Sequence, residues 1–174
     1  MTKVICLFTC HNRSLKTLNS VKNIISIFNQ LTFDYEICAV LDNCKDDTKN
    51  LLLSLNDSIQ VIEHNGEDLF WAGGMRYGFN QLVKNKDYDY LTCINDDIEL
   101  DVDKTTLEIV SFLKINNDML QVFVGSFQDG TGNVTYGGLR QVLYLNPLRL
   151  KKIDPQKQQE VQTFNMNFVM IPSK

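Results

Sequence analysis

Apolar residues in this chain fall into short unbroken runs, and between the runs they recur every three or four positions. Val4 to Thr9 is the first run, and its continuity predicts a strand buried on both faces. Leu15, Leu18, Val21, Ile24, Ile25 and Phe28 then follow a helical spacing, with Ser14 placed to cap that helix. Glu36 to Leu41 predicts a second buried strand, Asp46 and Asp47 a capped short helix through Leu52 and Leu55, and Ile59 to Ile62 a third strand. Asn65-Gly66 marks a turn. Gly73 and Gly74 are expected just ahead of a helix carrying Met75, Phe79, Leu82 and Val83. Tyr90 to Ile94 reads as a fourth strand, Thr105 to Ile115 as a helix and Val122 to Gly125 as a fifth strand. This alternation predicts an α/β fold, a mostly parallel sheet flanked by helices and joined by right-handed crossovers.

After Gly125 the pattern changes. Asp129-Gly130 and Gly132-Asn133 are turn chemistry, and Val134 to Tyr136 suits one arm of a hairpin. Residues 151 to 160 are polar and read as a mobile surface loop. Phe164 to Ile171 is again apolar and strand-like.

Length and composition narrow the function. A chain of 174 residues suits one domain, and 44% hydrophobic residues supply a core. A net charge of -4 and a pI near 5.1 give no electrostatic footprint for nucleic acid. No apolar run reaches the roughly 20 residues that span a bilayer, and Met1-Thr2-Lys3 enters a strand without the regions of a signal peptide. The five cysteines, Cys6, Cys10, Cys38, Cys44 and Cys93, include no Cys-x-x-Cys pair. Four of them lie in or at the ends of apolar runs, where Cys packs as a small hydrophobe. Zinc is thereby disfavoured, and the odd count points to a reducing compartment. The chain reads as cytoplasmic, with a lipid acceptor or a further segment as its routes to the inner-membrane surface.

The candidate chemistry sits at strand ends. Asn95-Asp96-Asp97 closes the fourth run, and ligands of open parallel sheets bind beyond the carboxyl ends of the strands. Adjacent carboxylates there suit a hard divalent cation, which takes carboxylate oxygens, water and substrate phosphates. The same acids also suit a turn cap. Thr9, Cys10, His11 and Asn12 end the first strand and Asp42 and Asn43 the second, so parallel strands bring them to the same edge. A carboxylate and an amide there suit a base and a ribose, and equally suit turn and helix capping. In Gly66 to Gly78, Gly73 and Gly74 allow close backbone approach. A helix N-terminus after them offers amides to a phosphate, Arg76 a charge-assisted contact, and Trp71 a ring to stack or to bury. The spacing fits neither a Walker loop nor the Rossmann glycine fingerprint. His11 and His64 lack a spaced ligand partner, and neither is assigned as a base.

Taken in order, these segments resemble the inverting family 2 glycosyltransferases, in particular a rhamnosyltransferase-like bacterial sub-group. Phe8-Thr9-Cys10-His11-Asn12-Arg13 resembles the family's first strand and its Thr-x-x-Asn-Arg end, and Val40-Leu41-Asp42-Asn43 its second-strand acid at the nucleotide base. Leu69 to Arg76 resembles the segment under the diphosphate, and Asn95-Asp96-Asp97 its Asp-x-Asp position with Asn in the first place. Tyr136-Gly137-Gly138 and Thr163 to Asn167 resemble later motifs on the sugar and acceptor side.

The resemblance implies a GT-A, Rossmann-like nucleotide-diphospho-sugar transferase fold, with residues 1-125 as the donor half and 126-174 as the start of the acceptor half. It implies Mg²⁺ or Mn²⁺ as cofactor, with Asp97 as metal ligand and Asp96 beside the metal or the ribose. Thr9, Asn12, Arg13, Asp42, Trp71, Gly73, Gly74, Arg76, Asn95 and Asp96 would bind the donor. That donor is expected to be a UDP- or dTDP-linked sugar, and the acceptor a saccharide or a lipid-linked hydroxyl in polysaccharide biosynthesis. The family's catalytic base is expected beyond Lys174, so a truncated chain is expected, with self-association through exposed apolar surface. A non-catalytic nucleotide-sugar binding fragment is the alternative. A sugar-nucleotide pyrophosphorylase fits less well, because no glycine follows the first strand.

Overall fold

The computed structural model describes residues 1–116, 121–143, 146–153 and 161–173. In chain order these form β1 (Lys3–Cys10), α1 (Ser14–Gln30), β2 (Asp34–Asp42), α2 (Thr48–Leu53), β3 (Ile59–His64) and α3 (Phe70–Gly78). A π-helical turn, Phe79–Val83, extends α3 and is followed by β4 (Tyr90–Ile94) and α4 (Val102–Ile115). Seven further strands follow: β5 (Phe123–Val124), β6 (Phe127–Gln128), β7 (Val134–Tyr136), β8 (Gly138–Leu143), β9 (Asn146–Lys152), β10 (Thr163–Phe164) and β11 (Phe168–Pro172).

The main sheet has the order β3-β2-β1-β4-β11-β5. β1 pairs in parallel with β2 and β4, and β2 with β3. The alternation of buried residues along β1 explains its central place. Val4, Cys6, Phe8 and Cys10 enter one core with α1 and α4, while Ile5 and Leu7 enter a second core with Met75 of α3. A strand buried on both faces is apolar along almost all of its length, and Thr9 is the one buried polar residue of β1.

The mostly parallel α/β sheet expected from the sequence is therefore present, and one strand lies antiparallel within it. β11 runs antiparallel between β4 and β5, pairing Phe168 with Ile94 and Val169 with Val124. Phe168 is buried, and its ring meets Phe123 edge-on, with centroids 5.9 Å apart. The hairpin expected at Val134 to Tyr136 forms as β6 with β7, while β8, β9 and β10 make a separate small sheet. Of the polar stretch read as a loop, Lys151 and Lys152 belong to β9, and 154–160 lie outside the described residues.

Two local expectations need correction. Ser14 is the first residue of α1 rather than its cap, and its N–H donates to Asp46 Oδ2 at 3.0 Å. Asp46 thus caps across the fold, while also accepting from Thr48 N–H at 3.3 Å. Gly73 and Gly74 lie inside α3, whose first residue is Phe70. Gly74 is required by close packing, since a Cβ there would stand 2.4 Å from Thr9 Oγ1. Gly78 plays the same part against β2, where a Cβ would stand 2.5 Å from Val40 Cγ2.

Two stability predictions follow from this packing. Phe168→Ala should lower unfolding stability by about 3–5 kcal/mol in urea titration, the cost of a buried aromatic cavity. Exposed Leu107→Ala should change it by under about 0.5 kcal/mol, and a similar loss for both would remove β11 as a structural staple. Thr92 Oγ1 is buried with no hydrogen-bond partner among the described residues. Thr92→Val should therefore stabilise the fold by about 1 kcal/mol, and a destabilised variant would point to an unseen partner.

Candidate functional site

Because β1, β2, β3 and β4 run in parallel, their carboxyl ends share one edge of the sheet. Short hydrogen bonds knit these tips together. His11 Nδ1 lies 2.6 Å from the Asp42 carbonyl oxygen, and Asn43 N–H donates to the His64 carbonyl at 2.8 Å. Asn12 Oδ1 accepts from Lys45 N–H at 2.7 Å, while Asn12 Nδ2 lies 3.0 Å from His11 Nε2. Asn12 and Asn43 each leave their strand with φ of 51°, a left-handed turn that Asn tolerates.

Asp96 and Asp97 follow β4 on this edge, adjacent in sequence and opposite in environment. The Asp96 residue is 6% exposed, whereas the Asp97 side chain is 35% exposed. Arg13 joins them, with Nη1 2.8 Å from Asp97 Oδ2 and 3.4 Å from Asp96 Oδ1. Thr17 Oγ1 donates to Asp96 Oδ2 at 3.3 Å. Burial pushes the Asp96 carboxyl above the usual carboxylate range; Arg13 opposes that shift and the Asp97 charge adds to it. Asn95 is tied to the last main-sheet strand, through Nδ2 to Asn167 Oδ1 at 3.3 Å and N–H to the Asn167 carbonyl at 3.0 Å.

Asp42 forms a second cluster. Its buried carboxylate accepts from Leu69 N–H at 2.9 Å, and its other oxygen lies 3.2 Å from His64 Nδ1. Asp42 therefore holds the residue that caps α3. Asn43 Nδ2 also donates, to Asp68 Oδ1 at 2.8 Å and to the Gly66 carbonyl at 3.1 Å. At the start of α3, Phe70 has φ of 54° and Trp71 is 38% exposed. Arg76 is exposed in the last turn of α3. Among the described residues neither Trp71 nor Arg76 makes a hydrogen bond or ion pair with the acid pair or with Asp42.

Of the residues expected from the sequence, Arg13, Asp96 and Asp97 thus meet in one ion cluster. Thr9 packs on Gly74, and Asn12 and Asp42 organise the neighbouring tips. Thr17 has no place among those expectations, and Asp46, expected only as a cap of the short helix, also holds the start of α1. Thr17 lies one helical turn beyond Arg13, on the same face, and that spacing is the available signal. The expected helix N-terminus after Gly73 and Gly74 lies instead at Phe70, and Gly74 packs against Thr9 of β1.

The tips of the parallel strands thus gather carboxylates, an arginine and amides on one edge. Residues 4–171 match glycosyl transferase family 2, and the chain belongs to that family. Its mixed α/β sheet is accordingly a GT-A fold. Among solved structures, it is similar to a mannosyltransferase from Pyrobaculum calidifontis in complex with GDP-Man and Mn2+, at 13% identity and a TM-score of 0.45. That overlap covers 64% of this chain, which spans 32% of the mannosyltransferase chain. No curated protein matches the sequence.

The charge on Asp96 has a testable signature. An acid with a folded-state pKa above its unfolded value of about 3.9 weakens the fold as pH rises through that interval. The penalty is complete above the folded value. Asp96→Asn keeps an acceptor for Thr17, so it should raise the thermal midpoint of the EDTA-treated chain at pH 7. Below pH of about 4 that gain should vanish. An equal gain at both pH values would exclude the buried charge as its cause.

Proposed function

We propose that this chain binds a nucleotide-diphosphate sugar at the shared strand-tip edge and serves glycosyl transfer to an acceptor hydroxyl with inversion. The observation that carries the reading is the Asp96–Asp97 pair beside Arg13 on the same edge as Asn12 and Asp42. Family membership supports it.

The acid pair fits a hard divalent cation, Mg²⁺ or Mn²⁺. Its donors are carboxylate oxygens, and the burial and raised pKa of Asp96 mark a charge that a cation would relieve. No group of three or more His, Cys, Asp or Glu converges among the described residues. Water and diphosphate oxygens would then complete the shell, as is usual for Mg²⁺. Asp97, the more exposed acid, would be the principal ligand, and Asp96 would support it. When bound, the cation supplies charge neutralisation to the departing diphosphate.

Arg13 now satisfies both acids and would be released to a phosphate when a cation replaces it. Asp42 and Asn12 would face the base, a uracil or thymine, with Thr9 at the floor and Asn95 by the ribose. Trp71 and Arg76, exposed on α3, would close over the ring and the phosphates. Gly74 would contribute by letting α3 lie close to β1, and Gly73 by leaving the backbone open to a ligand. The acceptor is a saccharide or lipid-linked hydroxyl, and no residue described here is assigned as its base. Among the described residues no helix is long and apolar enough to cross a membrane. The alternative is a binding fragment without turnover, which would show metal-dependent binding and no donor hydrolysis or transfer.

Calorimetric titration with UDP and dTDP, each with and without Mn²⁺, tests the site. Metal-dependent binding of one of them is expected. Asp97→Ala should weaken it by about 100-fold or more, since loss of an outer-shell partner alone typically costs about 10–100-fold. Unchanged affinity in that variant would remove Asp97 as a ligand, and no binding by the wild-type chain would remove the donor site.

A further inference from the structure

Two of the five cysteines meet where the site opens. Cys10 is the last residue of β1, and Cys44 lies just beyond β2. Cys44 Sγ–H donates to the Cys10 carbonyl at 3.3 Å, and Asn12 N–H lies 3.5 Å from Cys44 Sγ. The Cys44 sulfur therefore lies against the residue that carries the Cys10 thiol. Cys10 is buried, with its Sγ 3.8 Å from the Val40 carbonyl, while Cys44 is partly exposed. The other three, Cys6, Cys38 and Cys93, are buried in the body of the sheet.

We propose that Cys10 and Cys44 form a reversible oxidation site, in which hydrogen peroxide converts the two thiols to a disulfide that joins the β1 and β2 tips. The partly exposed Cys44 is attacked first. Its thiolate displaces hydroxide from the peroxide, so an S–O bond forms, the O–O bond breaks and the hydroxide takes up a proton to leave as water. The Cys10 sulfur then attacks the Cys44 sulfenic acid. An S–S bond forms, the S–O bond breaks, and the oxygen leaves as a second water with the Cys10 proton. Two thiols lose two electrons, and one peroxide gains them.

The surroundings of each sulfur support that order. The Cys10 hydrogen bond holds the Cys44 thiol down to about 7; burial opposes this, and the Asn12 N–H and His11 assist it. Cys10 is held far above the ordinary thiol value, first by its hydrogen bond to Cys44, then by burial and by the Cys44 charge. Oxidation of Cys44 to a neutral sulfenic acid removes the charge that held the Cys10 proton. A low-pKa, accessible thiol beside a resolving cysteine is the arrangement of redox-sensing pairs, which occur in reducing compartments as transient disulfides.

Formation of the bond does not depend on the proposed donor site, although any effect on nucleotide-sugar binding rests on that reading. The test treats the full chain with hydrogen peroxide at pH 7, quenches with catalase, blocks remaining thiols under denaturing conditions and maps the digest by mass. A Cys10–Cys44 cross-linked peptide is expected, reversed by dithiothreitol, with Cys6, Cys38 and Cys93 alkylated. Bonds between chains, a different pairing, or Cys44 over-oxidised with Cys10 free would overturn the proposal. In Cys44→Ser, Cys10 should keep its free thiol at the same dose. Loss of that thiol at the wild-type rate would overturn Cys44 as the first sulfur attacked.

Discussion

Burial of β1 on both faces is the constraint from which the rest of this structure follows. Residues on one face face α1 and α4, and those on the other face α3, so two apolar cores meet at a single strand. No polar side chain can be housed along that strand without a partner. Polar chemistry is therefore displaced to its carboxyl end, where Cys10, His11, Asn12 and Arg13 emerge beside the ends of β2 and β4. The location of the site is thus a by-product of how the core is filled. Glycines extend the same logic, since Gly74 and Gly78 let α3 approach the sheet closely enough to seal the second core.

The parts of the fold legible in the sequence were those governed by local periodicity. The unbroken runs gave β1, β2 and β4 to within a residue or two, and the three-to-four spacing gave α1. Contacts between distant segments were not legible. β11 reads as an apolar run like any other, and nothing local says that it inserts antiparallel between β4 and β5. Gly73 and Gly74 suggest a loop because glycine permits one, yet both lie inside α3, where Gly74 packs against Thr9. Asp42 was seen as a residue of the edge, but its bond to Leu69 N–H depends on a helix start placed by packing. The cysteines looked like small hydrophobes, and the proximity of Cys10 and Cys44 arises only once the strand tips are set side by side.

The acid pair shows how one step along the chain divides two roles. Asp96 turns inward to Thr17 and is desolvated, while Asp97 turns outward and takes the shorter contact with Arg13. The arginine holds two carboxylates together that would otherwise repel. An ion cluster of this kind is poised rather than inert, because any cation that displaces Arg13 frees a guanidinium beside the place it occupies.

The antiparallel entry of β11 also has a consequence in time. β4 needs Phe168 to Pro172 to complete its outer edge, although its inner edge can pair with β1 much earlier in synthesis. At about 5–20 residues per second, the intervening chain takes on the order of several seconds to emerge. Throughout that interval an apolar strand waits with unpaired backbone groups, the condition that invites pairing with another chain. The vulnerability of this protein to misassociation is therefore set by the pace of the ribosome as well as by the stability of the finished sheet.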